Sequence, residues 1–300
     1  MRSPPQSAPA STPTAVVRPT DDELDLFGIT HRGNVRSENQ DQFLVCTVHP
    51  QVVIHGTSLP NAADLPLRGT RLASIFVIAD GVGGASAGSE AARVATEAIT
   101  SYVTSTLRCY HAAGTSTDEE FLDALRAAAL EAHAAVLSQS ALRVDRGRMA
   151  STLTLVIVVW PWLYVVQIGD SRAYLYDGTL RQITRDQTIG QELVDQGILP
   201  VERLAHSPFR NVLSSAIGAD EALPVVTRVD IRERRTCLLL CSDGLTKHVT
   251  NAELESALRE IKSSEQLARD LLDLALSRGG SDNITIIAAR APVKSGASTT

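Results

Sequence analysis

The chain has 300 residues, 44% of them apolar, and a formal net charge of −6. That is enough apolar material for a sizeable core, and an acidic chain without a basic block argues against a nucleic-acid-binding role. The four cysteines, at 46, 109, 237 and 241, include no CxxC pair, so they read as small core residues of a reducing, cytoplasmic compartment rather than as a zinc site.

Residues 1–21 are rich in Pro, Ser, Thr and Ala and lack an apolar signal-peptide core, which predicts a disordered tail. Strands are predicted at 25–30 and 41–48, around the polar loop Arg32 to Gln40, with a further short strand at 51–55. A buried strand over 72–79 ends at Asp80-Gly81, where a glycine-rich turn is expected. Helical spacing then runs over 86–109, with Ser86 as N-cap, and over 118–140, where Asp118, Glu119 and Glu120 suit the first turn. The most apolar run, 153–168, is too short for a membrane span and is interrupted by Trp160-Pro161-Trp162, so two buried strands joined by a tight turn fit better. Strands are predicted at 151–159, 162–168, 171–176 and 179–183, the last two joined by a tight turn at Asp177-Gly178.

Residues 184–218 contain only short helical pieces, at 189–196 and 201–205. Strands follow at 225–230 and 236–241, helices at 252–261 and 265–276, and a closing strand at 283–289. Residues 293–300 are again tail-like. Helices in pairs and strands in runs, without strict alternation, give an α+β fold with mostly antiparallel sheet, in one domain over residues 22–292.

Three carboxylates share one setting. Asp80 and Asp243 each end a strand and precede a glycine, and Asp282 opens the last strand after Gly279 and Gly280. Strand ends far apart in sequence can converge at one edge of a β layer. Several carboxylates in one pocket repel each other unless cations neutralise them, and oxygen ligands without His or Cys favour Mg²⁺ or Mn²⁺.

Six segments carry a resemblance. In order they are Arg36-Ser-Glu-Asn-Gln-Asp41, Asp80-Gly81-Val-Gly-Gly, Met149-Ala-Ser-Thr152, Gly169-Asp170-Ser-Arg172, Ser242-Asp243-Gly244-Leu245 and Ser281-Asp282-Asn283. Together they resemble the PPM (PP2C-type) metal-dependent protein Ser/Thr phosphatases, in particular the compact bacterial form. The resemblance implies a four-layer αββα sandwich of two antiparallel sheets flanked by helix pairs. It also implies hydrolysis of phosphoserine and phosphothreonine by a water bridging two Mn²⁺ or Mg²⁺ ions.

By the same resemblance Asp80 bridges the two ions, Gly81 offers its carbonyl to one, and Asp243 and Asp282 hold the other. Arg36 binds phosphate, Asp41 orients the water, and Asp145, four residues before Met149, is the candidate for a third ion. Residues 184–218 correspond to the family's mobile flap. The implied partners are phosphorylated Ser/Thr proteins and a cognate kinase; no nucleic acid, no membrane and a monomeric state are expected.

The chain departs from the family pattern at three positions. Gln40 stands where Glu is frequent, Ala85 where many bacterial members have His, and Lys247 where an acidic residue is common. Asp170 is read as a turn anchor. Two other functions compete with the phosphoprotein phosphatase: a pseudo-enzyme of the same fold serving as a binding module, and a hydrolase of small phosphate esters. The survival of Asp80, Gly81, Asp243, Asp282 and Arg36 favours activity over decay.

Overall fold

A computed structural model describes residues 17–55, 58, 65–83, 85–113, 117–142, 149–232 and 236–292. Its strands are β1 (Asp25–His31), β2 (Asp41–Val48), β3 (Ala73–Val82), β4 (Ala150–Ser151), β5 (Leu153–Val159), β6 (Trp162–Ile168), β7 (Arg172–Tyr176), β8 (Leu180–Gln182), β9 (Val225–Asp230), β10 (Cys237–Cys241) and β11 (Ile284–Arg290). Its helices are α1 (Ala85–Ala113), α2 (Asp118–Ala141), α3 (Ile189–Asp195), α4 (Val201–Leu204), α5 (Asp243–Thr246), α6 (Asn251–Arg259) and α7 (Ser264–Ser277).

The strands form two antiparallel sheets. One has the order β1-β11-β10-β7-β8; the other has β2-β3-β5-β6-β9, with β4 added beside β3. The alternation of side chains along each strand sorts the apolar residues into three cores. Phe76 and Ile78 of β3 face between the sheets, against Leu238 and Leu240 of β10 and Ile287 of β11. Ile75 and Val77, on the other face of β3, pack under α1 and α2. Leu239, Cys237 and Cys241 point the opposite way from Leu240, towards α6 and α7. Strands covered on both faces explain the unbroken apolar runs at 75–79 and 237–241. The layers are helix, sheet, sheet, helix, as the α+β expectation requires.

Small residues dominate where α1 and α2 are buried: Ala87, Ala91 and Ala95 of α1 and Ala128, Ala129 and Ala132 of α2 all lie in one core with β3. Thr117 caps α2 reciprocally with Glu120, whose side chain accepts from the Thr117 N–H. Leu240 is fully buried between the sheets. Leu240→Ala is expected to destabilise the protein by about 2–5 kcal/mol, read from the urea midpoint at unchanged slope.

The structure corrects several sequence-based boundaries. The predicted strand at 51–55 is only an isolated bridge between Gln51 and Arg68. Strand β3 does not turn at Asp80-Gly81 but continues to Val82, because Gly81 and Val82 find partners in Ser151 and Ala150. Ser86 lies inside α1 rather than capping it. The one-turn helix α5 was not anticipated. Residues 17–21, assigned to the tail by composition, are tied to the body: Arg71 donates to the Pro19 carbonyl and pairs with Asp21. The connection at Asp177-Gly178 is a three-residue loop, with Tyr176 paired to Leu180 and Gly178 at φ 115°.

Candidate active site

One edge of the sandwich carries an open cleft of about 850 Å³. Asp80, Gly81, Asp243, Asp282, Arg36 and Gln40 all line it. The topology brings them together. Strand β3 delivers Asp80 and Gly81 from one sheet, the end of β10 delivers Asp243, and the start of β11 delivers Asp282 from the other.

The Asp80 main chain is fixed independently of its side chain. Its N–H donates to Thr152 Oγ1 at 3.0 Å, and its carbonyl accepts from the Thr152 N–H at 2.8 Å and from Ser151 Oγ at 3.1 Å. Gly81 has no room for a side chain, since a Cβ there would lie 2.2 Å from the Gly88 carbonyl oxygen of α1. The loop bearing Arg36 is pinned from β11. Asn283 Nδ2 donates to the Arg32 and Glu38 carbonyls at 2.9 and 2.8 Å, and Asn283 Oδ1 accepts the Gln40 N–H at 2.9 Å.

Asp41 does not line the cleft. It is buried at the start of β2, opposite Asp80, and its Oδ2 accepts from Ser242 Oγ at 2.8 Å and Thr285 Oγ1 at 2.6 Å. These two hydroxyls tie Asp41 to the other sheet, and sequence reasoning missed both. The serine-plus-acid order of Ser242-Asp243 was the available signal for one of them; nothing local marks Thr285.

Burial pushes the Asp41 carboxyl up to about 6, with the Ser242 and Thr285 hydrogen bonds opposing and Asp243 adding to the rise. Asp80 is driven well above the ordinary carboxylate range by burial and then by Asp41, Asp243 and Asp170. Asp243 is raised by burial against the pull of Lys247. Asp170, expected to anchor a turn, is buried where the cleft meets a second cavity that α4 and Arg210 also line, and burial with Asp243 and Asp186 nearby raises it to about 7.

Asp282 goes the other way. Burial acts to raise it, but Lys247 and Arg36 outweigh burial and hold it below the usual value. Arg36 grips it as a fork, Nε to Oδ1 at 2.7 Å and Nη2 to Oδ2 at 2.9 Å. Lys247 Nζ lies 2.5 Å from Asp243 Oδ2 and 2.6 Å from Asp282 Oδ2.

Among the described residues no three His, Cys, Asp or Glu side chains are grouped as a ready-made metal cage. The donor chemistry nevertheless suits hard divalent cations. Every acidic side chain in the cleft offers oxygen, and the buried Oδ1 atoms of Asp41 and Asp243 have no hydrogen-bond partner. Like charges gathered at this density call for a cation. Asp145, the candidate for a third ion, lies outside the described residues, as does the side chain of Ala85.

Residues 184–218 form the opposite wall, with 211–216 lining the cleft. The segment is anchored to the body by a bridge from Ile217 to Ser151 and by a bidentate Arg172–Asp186 pair, and Thr188 and Leu213 bridge within it. His206 does not reach the cleft. His133 Nδ1 accepts the Gly218 N–H at 3.0 Å.

The chain matches the family described as protein phosphatase 2C over residues 60–277. It is 34% identical over 220 residues to the serine/threonine protein phosphatase PstP of Mycobacterium tuberculosis, covering 72% of this chain and 40% of that relative. This chain therefore spans well under half the length of that relative. It is 30% identical over 259 residues to the serine/threonine phosphatase stp of Listeria welshimeri, covering 86% of this chain and 92% of the relative. The crystal structure of the PstP catalytic domain in complex with two manganese ions superposes with a TM-score of 0.67 at 29% identity, covering 89% of this chain and 97% of that one.

Proposed function

The chain belongs to the protein phosphatase 2C family, and we propose that it is a metal-dependent phosphatase of phosphoserine and phosphothreonine in proteins, opposing a Ser/Thr kinase. The observation that carries this reading is the convergence of Asp80, Gly81, Asp243, Asp282 and Arg36 on one cleft from both sheets. When bound, two Mn²⁺ or Mg²⁺ ions would supply an activated water and neutralise the charge of the phosphoryl group.

Asp80, the Gly81 carbonyl, Asp243 and Asp282 would hold those ions. Arg36 is half exposed at the rim, where its planar fork can leave Asp282 for the oxygens of an incoming phosphate. Asp41 supports the floor beneath Asp80. Burial raises its carboxyl to about 6. The cleft, about 850 Å³ and open beside the wall at 211–216, leaves room beyond the phosphate, which supports a protein substrate over a small ester.

The test is phosphate release from a phosphothreonine peptide with Mn²⁺, with Mg²⁺ and with EDTA. Release is expected with either ion and not with EDTA. Asp243→Asn is expected to lower kcat/KM at subsaturating Mn²⁺ by at least about a hundredfold, with partial recovery at high Mn²⁺. A folded protein that releases no phosphate with any ion would point instead to a binding module.

A further inference from the structure

Helix α5 brings Lys247 back over the acid that starts it. The Lys247 N–H donates to the Asp243 carbonyl at 2.9 Å, closing the turn, so the two side chains stand four residues apart on one face. The helix also sits hard against the start of β11: a Cβ on Gly244 would lie 1.9 Å from the Asn283 carbonyl oxygen. That close approach brings Asp282 within reach of the same ammonium.

Lys247 Nζ thus bridges Asp243 Oδ2 and Asp282 Oδ2 at 2.5 and 2.6 Å, at a side-chain exposure of only 20%. Arg36 forks onto both oxygens of Asp282. Both carboxylates that would hold the second ion are therefore already neutralised by the protein's own cations. Asp80 and Gly81 have no ion pair of this kind among the described residues. The two halves of the centre are unequal.

We propose that Lys247 is an internal counter-cation that competes with the second divalent ion for Asp243 and Asp282. The second ion binds only by displacing the ammonium, so it binds much more weakly than the first. This rests on the two-cation reading above and adds to it a residue that sets the metal requirement. Arg36 is the less confined partner of Asp282, being half exposed, so Lys247 carries the competition.

Calorimetric titration of the full chain with Mn²⁺ tests this directly. Wild type is expected to bind two ions in separate steps. Lys247→Gln is expected to tighten the second step by about tenfold or more, with the first changing by less than about threefold. Lys247→Arg, which keeps the charge, is expected to behave as wild type.

The chain has only three lysines, 247, 262 and 294, so selective labelling at the lysine ε-carbon follows Lys247 without crowding. In wild type its NMR signal is expected to shift when Mg²⁺ fills the second step and not the first. This arm holds even if the glutamine variant does not fold. Two ions bound with the second step unmoved by Lys247→Gln, or a Lys247 signal indifferent to Mg²⁺, overturns the competition alone. Failure of every form to bind a divalent ion overturns the two-cation reading together with it.

Discussion

Asp80→Asn is expected to lower metal-dependent kcat/KM by at least about a thousandfold while making the metal-free protein more stable. The two effects have one cause. Asp80 sits among Asp41, Asp243 and Asp170, and its charge is disfavoured by burial and by those neighbours. Such a group weakens the fold when ionised. Its main chain is held through Thr152 and Ser151 whatever the side chain is, so asparagine can stand in the same place. The neutral amide removes the repulsion and also removes the charge that would attract the ions. The checks are phosphate release with Mn²⁺ and a thermal melt in EDTA. Activity within about tenfold of wild type, or a lowered melting temperature, would refute this account.

The second large effect is on stability against pH. Asp41 is raised to about 6 and Asp170 to about 7 from an ordinary 3.8, with burial the first cause in both. In this range the native state binds more protons than the unfolded chain, so stability falls as pH rises. The contribution is fully present below the unfolded carboxylate value and is lost as pH climbs through 6 and 7. Asp282, held below its usual value, acts in the opposite sense and only at more acidic pH.

The metal-free protein is therefore expected to lose a few kcal/mol between about pH 5 and pH 8. Saturating Mn²⁺ should offset that loss, raising the melting temperature more at pH 8 than at pH 5. Asp170→Asn should flatten the upper part of the curve. Melting in EDTA across this range, with and without added Mn²⁺, decides the matter. A melting temperature that rises towards pH 8 without metal would contradict the charge distribution described above.

Much of the fold was legible from local pattern. The runs at 75–79 and 237–241 read as buried strands because both faces of each strand are covered, and the spacing of small apolar residues over 118–140 read as a helix because one stripe of α2 packs on α1. The acids at positions 80, 243 and 282 were legible for a related reason: Asp80 and Asp243 each follow a buried apolar run and precede a glycine that the close packing requires, and Asp282 lies two residues after Gly280, just before the last apolar run. These are short-range signals, and the chain carries them in its order of residue types. Six short motifs in one order added the family, and the comparisons agree.

What the order of residues could not decide was contact between segments distant in the chain. That β3 runs past Asp80 depends on Ser151 and Ala150 arriving beside Gly81 and Val82. That Asp41 lies under the cleft rather than in it depends on Ser242 and Thr285, which reach it from the other sheet. Lys247 was visible in the sequence only as an unusual charge near Asp243. Where that charge stands depended on where the chain places Asp282: the packing of Gly244 against Asn283 sets the ammonium within 3 Å of both the Asp243 and the Asp282 carboxylates.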